Sequence, residues 1–286
     1  MTSQEQTPPP KEQTPIPQEQ TPIPQEQPPT VGTWAQGGGP DADDLARLRA
    51  NLRDVRARVE AAARGAGRDP RELTLVAVSK TWPASDVLGL IVLGVAQFAE
   101  NREQEAVAKV AAVRSAVGGQ GAAGLAPPVW HFVGQLQRNK ANAVARWADW
   151  VQSVDRPELV TALARGARAA GRELTICIQV SLSSPEGASA TGRGGAPPAE
   201  VARLADLVEG EDGLRLAGVM AVAPRGAPAR PAFARLRLVS EVLCRDHPGA
   251  HVISAGMSGD LAEAVVEGAT HLRIGTALFG ERLPVP

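Results

Sequence analysis

The chain has no tyrosine at all, and its aromatic residues make up only 3% of its 286 positions. No phenol is available as a proton donor or nucleophile. Lysine is nearly as scarce. Lys11, Lys80, Lys109 and Lys140 are the whole set, and the remaining permanent cations are arginines. A lysine in such a chain is not there merely to carry charge, because arginine carries it elsewhere. The two cysteines, Cys177 and Cys244, stand in unlike contexts, one in an apolar strand pattern and one in a helical one. They lack Cys-x-x-Cys spacing, so neither a zinc nor a redox site is expected, and no metal. They read as buried free thiols, which suits a reducing cytoplasm. The net charge of −1 supplies no basic surplus for nucleic acid. The longest apolar run, Val87 to Ala96, is broken by glycines. It is about half of what a bilayer span needs and reads as a buried helix. The first thirty residues have no apolar core of the secretory kind. The expectation is a cytoplasmic protein with neither a membrane nor a nucleic-acid partner.

Residues 1 to 40 are a different material. Glu5, Glu12, Glu19 and Glu26, with Thr7, Thr14 and Thr21, mark a seven-residue repeat. Proline stands where a coiled coil needs apolar residues, and it blocks helix and central strand alike. The segment reads as a disordered, solvated tail with polyproline II character. A docking role would need Pro-x-x-Pro spacing, which the repeat lacks.

From Asp41 to Ala63 the pattern is that of an amphipathic helix. Leu45, Leu48, Leu52, Val55 and Val59 recur at spacings of three and four. Beyond it, eight short apolar runs alternate with helical stretches: 73–80, 96–101, 129–134, 150–154, 174–182, 214–223, 251–256 and 270–275. The helical stretches include 86–93, 103–117, 137–148, 157–170, 198–208, 232–245 and 260–267. Before the fourth of these, Asp155 and Glu158 are spaced as a cap and its partner. Strand–helix alternation without hairpin dipeptides implies a parallel sheet. Eight repeats fit an α/β fold of the closed (β/α)8 TIM-barrel class over residues 41–286. An open doubly wound sheet is the alternative, but the first strand lacks Gly-x-Gly-x-x-Gly.

In such a barrel the chemistry gathers at the C-terminal ends of the strands. Lys80 ends the first. Lysine can lose its proton and attack a carbonyl, which arginine cannot. Lys80 is therefore a candidate Schiff-base former, or else a cation snorkelling out of the strand mouth. Strands seven and eight run into Gly256-Met257-Ser258-Gly259-Asp260 and Arg273-Ile274-Gly275-Thr276-Ala277. Small and hydroxyl residues at a strand-to-helix turn bring backbone N–H groups to an anion, and barrels often hold phosphate after these two strands. The alternative is that Ser258 and Thr276 only cap helices. A lysine, a phosphate site and Arg273 at one mouth suggest pyridoxal 5′-phosphate, with Arg273 facing the pyridine nitrogen. Arg273 in an ion pair with a strand-end acid such as Asp155 is the competing reading.

At these residues the chain resembles the pyridoxal phosphate homeostasis proteins, which share the barrel of the alanine racemase N-terminal domain. The matching segments are Ala77-Val-Ser-Lys80-Thr81, Phe98-Ala-Glu-Asn101 with Gln104-Glu105, and Trp130-His-Phe-Val-Gly134 with Leu136-Gln137 and Asn139-Lys140. Gly218-Val-Met220, Gly256-Met-Ser258-Gly-Asp260 and Arg273-Ile-Gly-Thr276-Ala277 with Phe279-Gly280 complete the set. The resemblance implies that Lys80 forms the Schiff base with pyridoxal phosphate. It implies that Ser258, Gly275 and Thr276 help to bind phosphate, that Arg273 lies by the ring nitrogen and that Asn101 lies beside the cofactor. It places Met220 and Met257 in the pocket lining. Ala99 and Arg102 stand where the family commonly has glycine and tyrosine, and Ser181 stands for the usual asparagine. The loop 183–195 lacks the frequent lysine-glycine pair, Arg193-Gly194 being nearest to it.

The resemblance implies a protein that binds the cofactor without a well-defined reaction and holds and releases it within the cell, with apo pyridoxal-phosphate enzymes as transient partners. The competing function is a pyridoxal-phosphate-dependent amino-acid racemase. Alanine racemase uses a tyrosine from a second domain as its second base; this sequence has no tyrosine, and the expectation is a barrel without that second domain. A racemase here would need His131 or a water in that role. His131 as a packed core histidine is the other possibility. A third is a barrel that takes a different phosphorylated ligand, with Lys80 structural.

Overall fold

Helix α1 (Ala42–Gly65) begins where Asp41 accepts the Asp44 N–H at 2.7 Å, closing the first turn with a carboxylate at the positive end of the helix. Leu48, Leu52, Val55, Val59 and Ala63 form its buried stripe, as the spacing predicts, while Leu45 is half-buried. The computed structural model describes residues 40–118, 125–182 and 194–281. The tail expected over 1–40 lies, but for Pro40, outside the described residues, as do residues 183–193 of the loop 183–195.

Eight parallel strands follow: β1 (Thr74–Val78), β2 (Gln97–Glu100), β3 (Val129–Phe132), β4 (Trp150–Val154), β5 (Leu174–Gln179), β6 (Leu214–Met220), β7 (Val252–Ser254) and β8 (His271–Ile274). They close in sequence order, β8 pairing with β1 through Val76 and Arg273. Each apolar run of the sequence contains one strand. Most strands stop short of the run's end, and the residues left over build the mouth. The connecting helices are α2 (Ala84–Val92), α3 (Glu103–Gly118), α4 (Ala141–Ala145), α5 (Pro157–Ala170), α6 (Val201–Glu209), α7 (Ala229–Asp246) and α8 (Leu261–Val266), with a short α9 (Thr276–Phe279) after β8.

Two local expectations are corrected. The helix expected over 137–148 is a 3-10 turn, Arg138–Lys140, followed by the single-turn α4. Asp155 does not cap α5. Its carboxylate instead meets Arg156 Nη1 at 2.6 Å and accepts the Gly195 N–H at 3.1 Å. A side chain next in the chain and a backbone N–H from the far side of the β5–α6 loop share the carboxylate that the cap would need.

Strand residues alternate between two environments. Phe98, Trp130, Phe132, Val151, Ile176, Ile178, Val219, Leu272 and Ile274 face the helices in one large apolar core. The residues between them face the barrel axis, and that interior is unusually polar for a fold whose inner layers are normally branched aliphatic. Gln97, His131, Gln152, Ser254, His271 and Arg273 share it with Trp150, Cys177 and Met220. Cys177 is fully buried and its thiol is pushed up to about 12, chiefly by burial. Cys244 is free but half-buried, against the expectation of full burial.

Candidate functional site

The turn after β1 carries Lys80, and it is pinned before it begins. The Ser79 N–H donates to the Ala99 carbonyl at 3.0 Å. The Ser79 carbonyl accepts from Lys109 Nζ at 2.7 Å, and its hydroxyl donates to Glu100 Oε1 at 2.7 Å. Lys109 and Glu100 themselves meet at 2.6 Å, both buried. The turn then closes with Trp82 N–H on the Ser79 carbonyl at 3.0 Å. Thr81 stands in the left-handed region at φ 69°, and its hydroxyl donates to the Lys80 carbonyl. Lys80 projects from this turn into solvent.

Asn101 follows β2 on the neighbouring side of the mouth. Its Oδ1 is buried and has no partner among the described residues. An unpaired buried acceptor is costly, which makes this atom a candidate to accept a hydrogen bond from a bound group. The Asn101 backbone is pressed against Gly134, where a Cβ would lie 2.0 Å from the Asn101 oxygen. Only glycine admits that approach.

Arg273 points from β8 into the barrel and is buried. Its Nη1 donates to Ser254 Oγ at 2.7 Å and its Nη2 to the Ala221 carbonyl at 2.8 Å. Asp155 is not its partner, so the ion-pair reading is corrected. Burial lowers its pKa to about 10, partly offset by the charge of Asp260. Three of its five N–H donors have no partner among the described residues.

From Arg273 a hydrogen-bonded chain crosses the interior. Ser254 Oγ donates to Gln152 Oε1 at 2.7 Å, Gln152 Nε2 meets His131 Nδ1 at 2.8 Å, and His131 Nε2 meets Gln97 Oε1 at 2.8 Å. His131 is thus a buried relay member with both ring nitrogens engaged. Its pKa lies well below the usual histidine value, first from burial and then from the charges of His271 and Arg273. Trp150 lies against both His131 and His271, with centroids at 5.1 Å and 5.3 Å.

The two strand-to-helix turns stand together. Met257 N–H donates to Asp260 Oδ1 at 2.6 Å, which folds the β7 turn back on itself. Ser258 Oγ accepts the Ala277 N–H at 3.4 Å, tying that turn to the start of α9. Gly275 is half-buried and Thr276 exposed. The two methionines part company. Met220 is buried with Cys177, Ala217 and Val252, whereas Met257 is among the exposed apolar residues.

Sequence reasoning placed Lys80, Asn101, Ser258, Arg273, Gly275 and Thr276 on the loops and strand ends of one mouth. It missed the support beneath them: Glu100 and Lys109 under the lysine turn, and Gln152 and Ser254 behind Arg273. Gln152 carried a readable signal, a long polar side chain at the centre of a short buried strand.

The family model described as the alanine racemase N-terminal domain matches residues 44–283. The pyridoxal phosphate homeostasis protein of Pseudomonas aeruginosa is 39% identical over 241 residues, covering 83% of this chain and 97% of that protein. The chain belongs to the pyridoxal phosphate homeostasis protein family. The member from Escherichia coli K12 is also 39% identical, over 81% of this chain and 95% of its own length. Among solved structures, PipY of Synechococcus elongatus with PLP bound is 32% identical at a TM-score of 0.67, covering 82% of this chain and all of that one. The same protein without PLP gives 0.69. Among the described residues, no helix of this family member is long and apolar enough to cross a membrane.

Proposed function

We propose that the barrel mouth binds pyridoxal 5′-phosphate and that the protein holds and releases this cofactor in intracellular vitamin B6 homeostasis. The observation that carries the reading is the pairing of β1 with β8. That pairing sets the exposed Lys80 turn beside the turn of Gly275, Thr276 and Ala277, which supports an amine and an anion site sharing one mouth. The names of the relatives and the PLP bound to PipY support it.

The residues present fit the group. Bound pyridoxal phosphate supplies an aldehyde, which a lysine amine joins reversibly as a Schiff base. Lys80 presents that amine. Ser258, Gly275 and Thr276 hold the phosphate end, where the hydroxyl of Ser258 already meets the Ala277 N–H. Arg273, with N–H donors left over from its bonds to Ser254 and Ala221, would stand by the ring nitrogen and keep it unprotonated. Asn101 offers its unpaired Oδ1 to a donor at the mouth. Met220, buried inside the barrel, and Met257, exposed on the β7 turn, would line the pocket.

An exposed Lys80 leaves the bond open to water and to competing amines, which suits release better than guarded proton abstraction. Transient apo-enzyme acceptors and a cytoplasmic setting belong to this reading. So does the division of the chain into a tail, 1–40, and one cofactor-binding unit, 41–286. His131 is unsuited as a racemase base, since it is buried and both its nitrogens are taken.

Borohydride reduction of the loaded protein followed by peptide mapping tests the reading. The expected result is a reduced adduct on Lys80, lost in Lys80→Ala, together with stoichiometric transfer of cofactor from the unreduced protein to an apo-enzyme. Bound pyridoxal phosphate with Lys80 unmodified overturns the chemistry. Failure to take up the cofactor overturns the function.

A further inference from the structure

One aromatic stack joins the turn that carries Lys80 to the turn that carries Gly275 and Thr276. Trp82 lies against Phe279 with ring centroids 5.6 Å apart and planes at 19°. Trp82 is two residues beyond Lys80 and closes the lysine turn through its N–H. Phe279 is the last residue of α9, and its N–H returns to the Gly275 carbonyl at 3.0 Å.

Arg47 of α1 grips both partners of the stack. Its guanidinium carbon lies 5.7 Å from the centroid of the Trp82 ring, and its Nη1 donates to the Phe279 carbonyl at 2.6 Å. Its Nη2 reaches Asp86 Oδ2 at 3.1 Å, a buried carboxylate in the first turn of the helix that follows the lysine turn. Asn51, one turn further along α1, donates to the Leu278 carbonyl at 2.8 Å. Between Lys80 and the stack stands Thr81, the one non-glycine residue with positive φ among the described residues. A threonine stays in that region only where its surroundings hold it.

We infer that Trp82 and Arg47 are positioning residues that couple the two ends of the site. An anion held at the Gly275 turn holds Phe279 too, through the Phe279 N–H on the Gly275 carbonyl. Phe279 fixes Trp82, and Trp82 fixes the strained Thr81 and with it the placement of Lys80. A ligand that binds the joined arrangement of the two turns favours it over any other, and a second ligand then meets it already favoured. The coupling is therefore reciprocal: an aldehyde on Lys80 raises anion affinity by the same factor. This rests on the cofactor reading above and deepens it, because it makes the phosphate a condition for the lysine bond as well as a handle.

The test divides the cofactor into two pieces. Pyridoxal, which has no phosphate, is titrated onto the full chain with and without inorganic phosphate, with chloride at matched ionic strength as the control. The readout is borohydride-trapped adduct on Lys80. In the unmodified chain, phosphate is expected to lower the pyridoxal concentration for half-trapping about fivefold or more, the usual scale of coupling between sites. In Trp82→Leu and Arg47→Gln that effect falls below about twofold, whereas Trp82→Phe keeps an aromatic stack and most of the effect. Melting curves identify any variant that fails to fold, and the three substitutions give the test more than one route. A phosphate effect that is absent from the unmodified chain, or equal in all variants, overturns the proposal while leaving the cofactor reading intact. Pyridoxal and pyridoxal phosphate that both fail to trap on Lys80 remove the cofactor reading itself, and the proposal with it.

Discussion

Gln152 Nε2 stands 2.8 Å from His131 Nδ1, deep inside the barrel, and this contact fixes which ring nitrogen carries the proton. Arginine can only donate, so Ser254 Oγ accepts from Arg273 and passes its own proton toward Gln152 Oε1. The Gln152 amide then donates to Nδ1, and His131 Nε2–H donates to Gln97 Oε1. Every donor points away from Arg273. His131 is expected as the neutral Nε2–H tautomer in 15N spectra of the ring, with no titration near neutrality. Gln152→Glu replaces the donor facing Nδ1 by an oxygen, so the proton should move to Nδ1 or the ring become charged. A ring already protonated on Nδ1 in the unmodified chain contradicts this polarity.

The barrel was legible because its evidence is local. Each apolar run is bounded by polar turns and followed by a helical period, and eight such units have few ways to close. The mouth was legible for the same reason: Lys80, Asn101, Ser258 and Thr276 all fall just past a strand. The supporting shell was not. Lys109 reaches Ser79 only because α3 packs against β2, to which Ser79 is paired, and Gln152 meets Ser254 only because the sheet closes on itself. Neither contact leaves a spacing to read. The Asp155 expectation failed because the carboxylate is taken by the Arg156 side chain and by the Gly195 N–H, forty residues away, and a capping spacing registers neither.

The buried pair beneath the lysine turn makes an asymmetric prediction. Lys109→Met leaves Glu100 fully buried with no cation, a change that typically costs about 3–5 kcal/mol. The double change Lys109→Met with Glu100→Gln removes both charges and should cost distinctly less. Thermal unfolding of the four forms gives the coupling directly. If the single and double variants lose equal stability, the pair does not hold the turn. On the proposed function the single variant also slows adduct formation at Lys80, because the Ser79 carbonyl loses its anchor.

The two interior histidines predict a loss of stability in mild acid. Burial is the first cause that holds His271 down to about 4, with His251 and Arg273 adding to it, and His131 is lowered as well. An unfolded histidine takes its proton near pH 6.5. Below that pH the unfolded chain therefore binds protons that the native chain refuses. Stability is full above about pH 6.5 and declines toward pH 4. At about 1.4 kcal/mol per pKa unit, His271 accounts for about 3 kcal/mol of that decline. The check is the difference between the unmodified chain and His271→Asn, which cancels the carboxylates common to both. Curves that stay parallel from pH 7 to 4.5 show that His271 is not the cause.

Two glycine substitutions separate close packing from backbone freedom. At Gly134 a Cβ would lie 2.0 Å from the Asn101 oxygen and 2.7 Å from its carbonyl carbon. Both are backbone atoms of the residue that ends the β2 side of the mouth, so they cannot yield as the tip of a side chain would. At Gly118, at the end of α3, an added Cβ meets nothing within 4 Å. Gly134→Ala is expected to cost about 1–3 kcal/mol, the range of core overpacking, or more if the strand end must shift. Gly118→Ala should be neutral or stabilise slightly, alanine being the better helix former. The functional consequence follows from the direction of the push. Displacing Asn101 moves its unpaired Oδ1, so Gly134→Ala should also weaken retention of pyridoxal phosphate at a temperature where the variant is still folded. Equilibrium dialysis of both variants measures this, and a Gly134→Ala protein that holds the cofactor as tightly as Gly118→Ala would show that Asn101 has no part in the site.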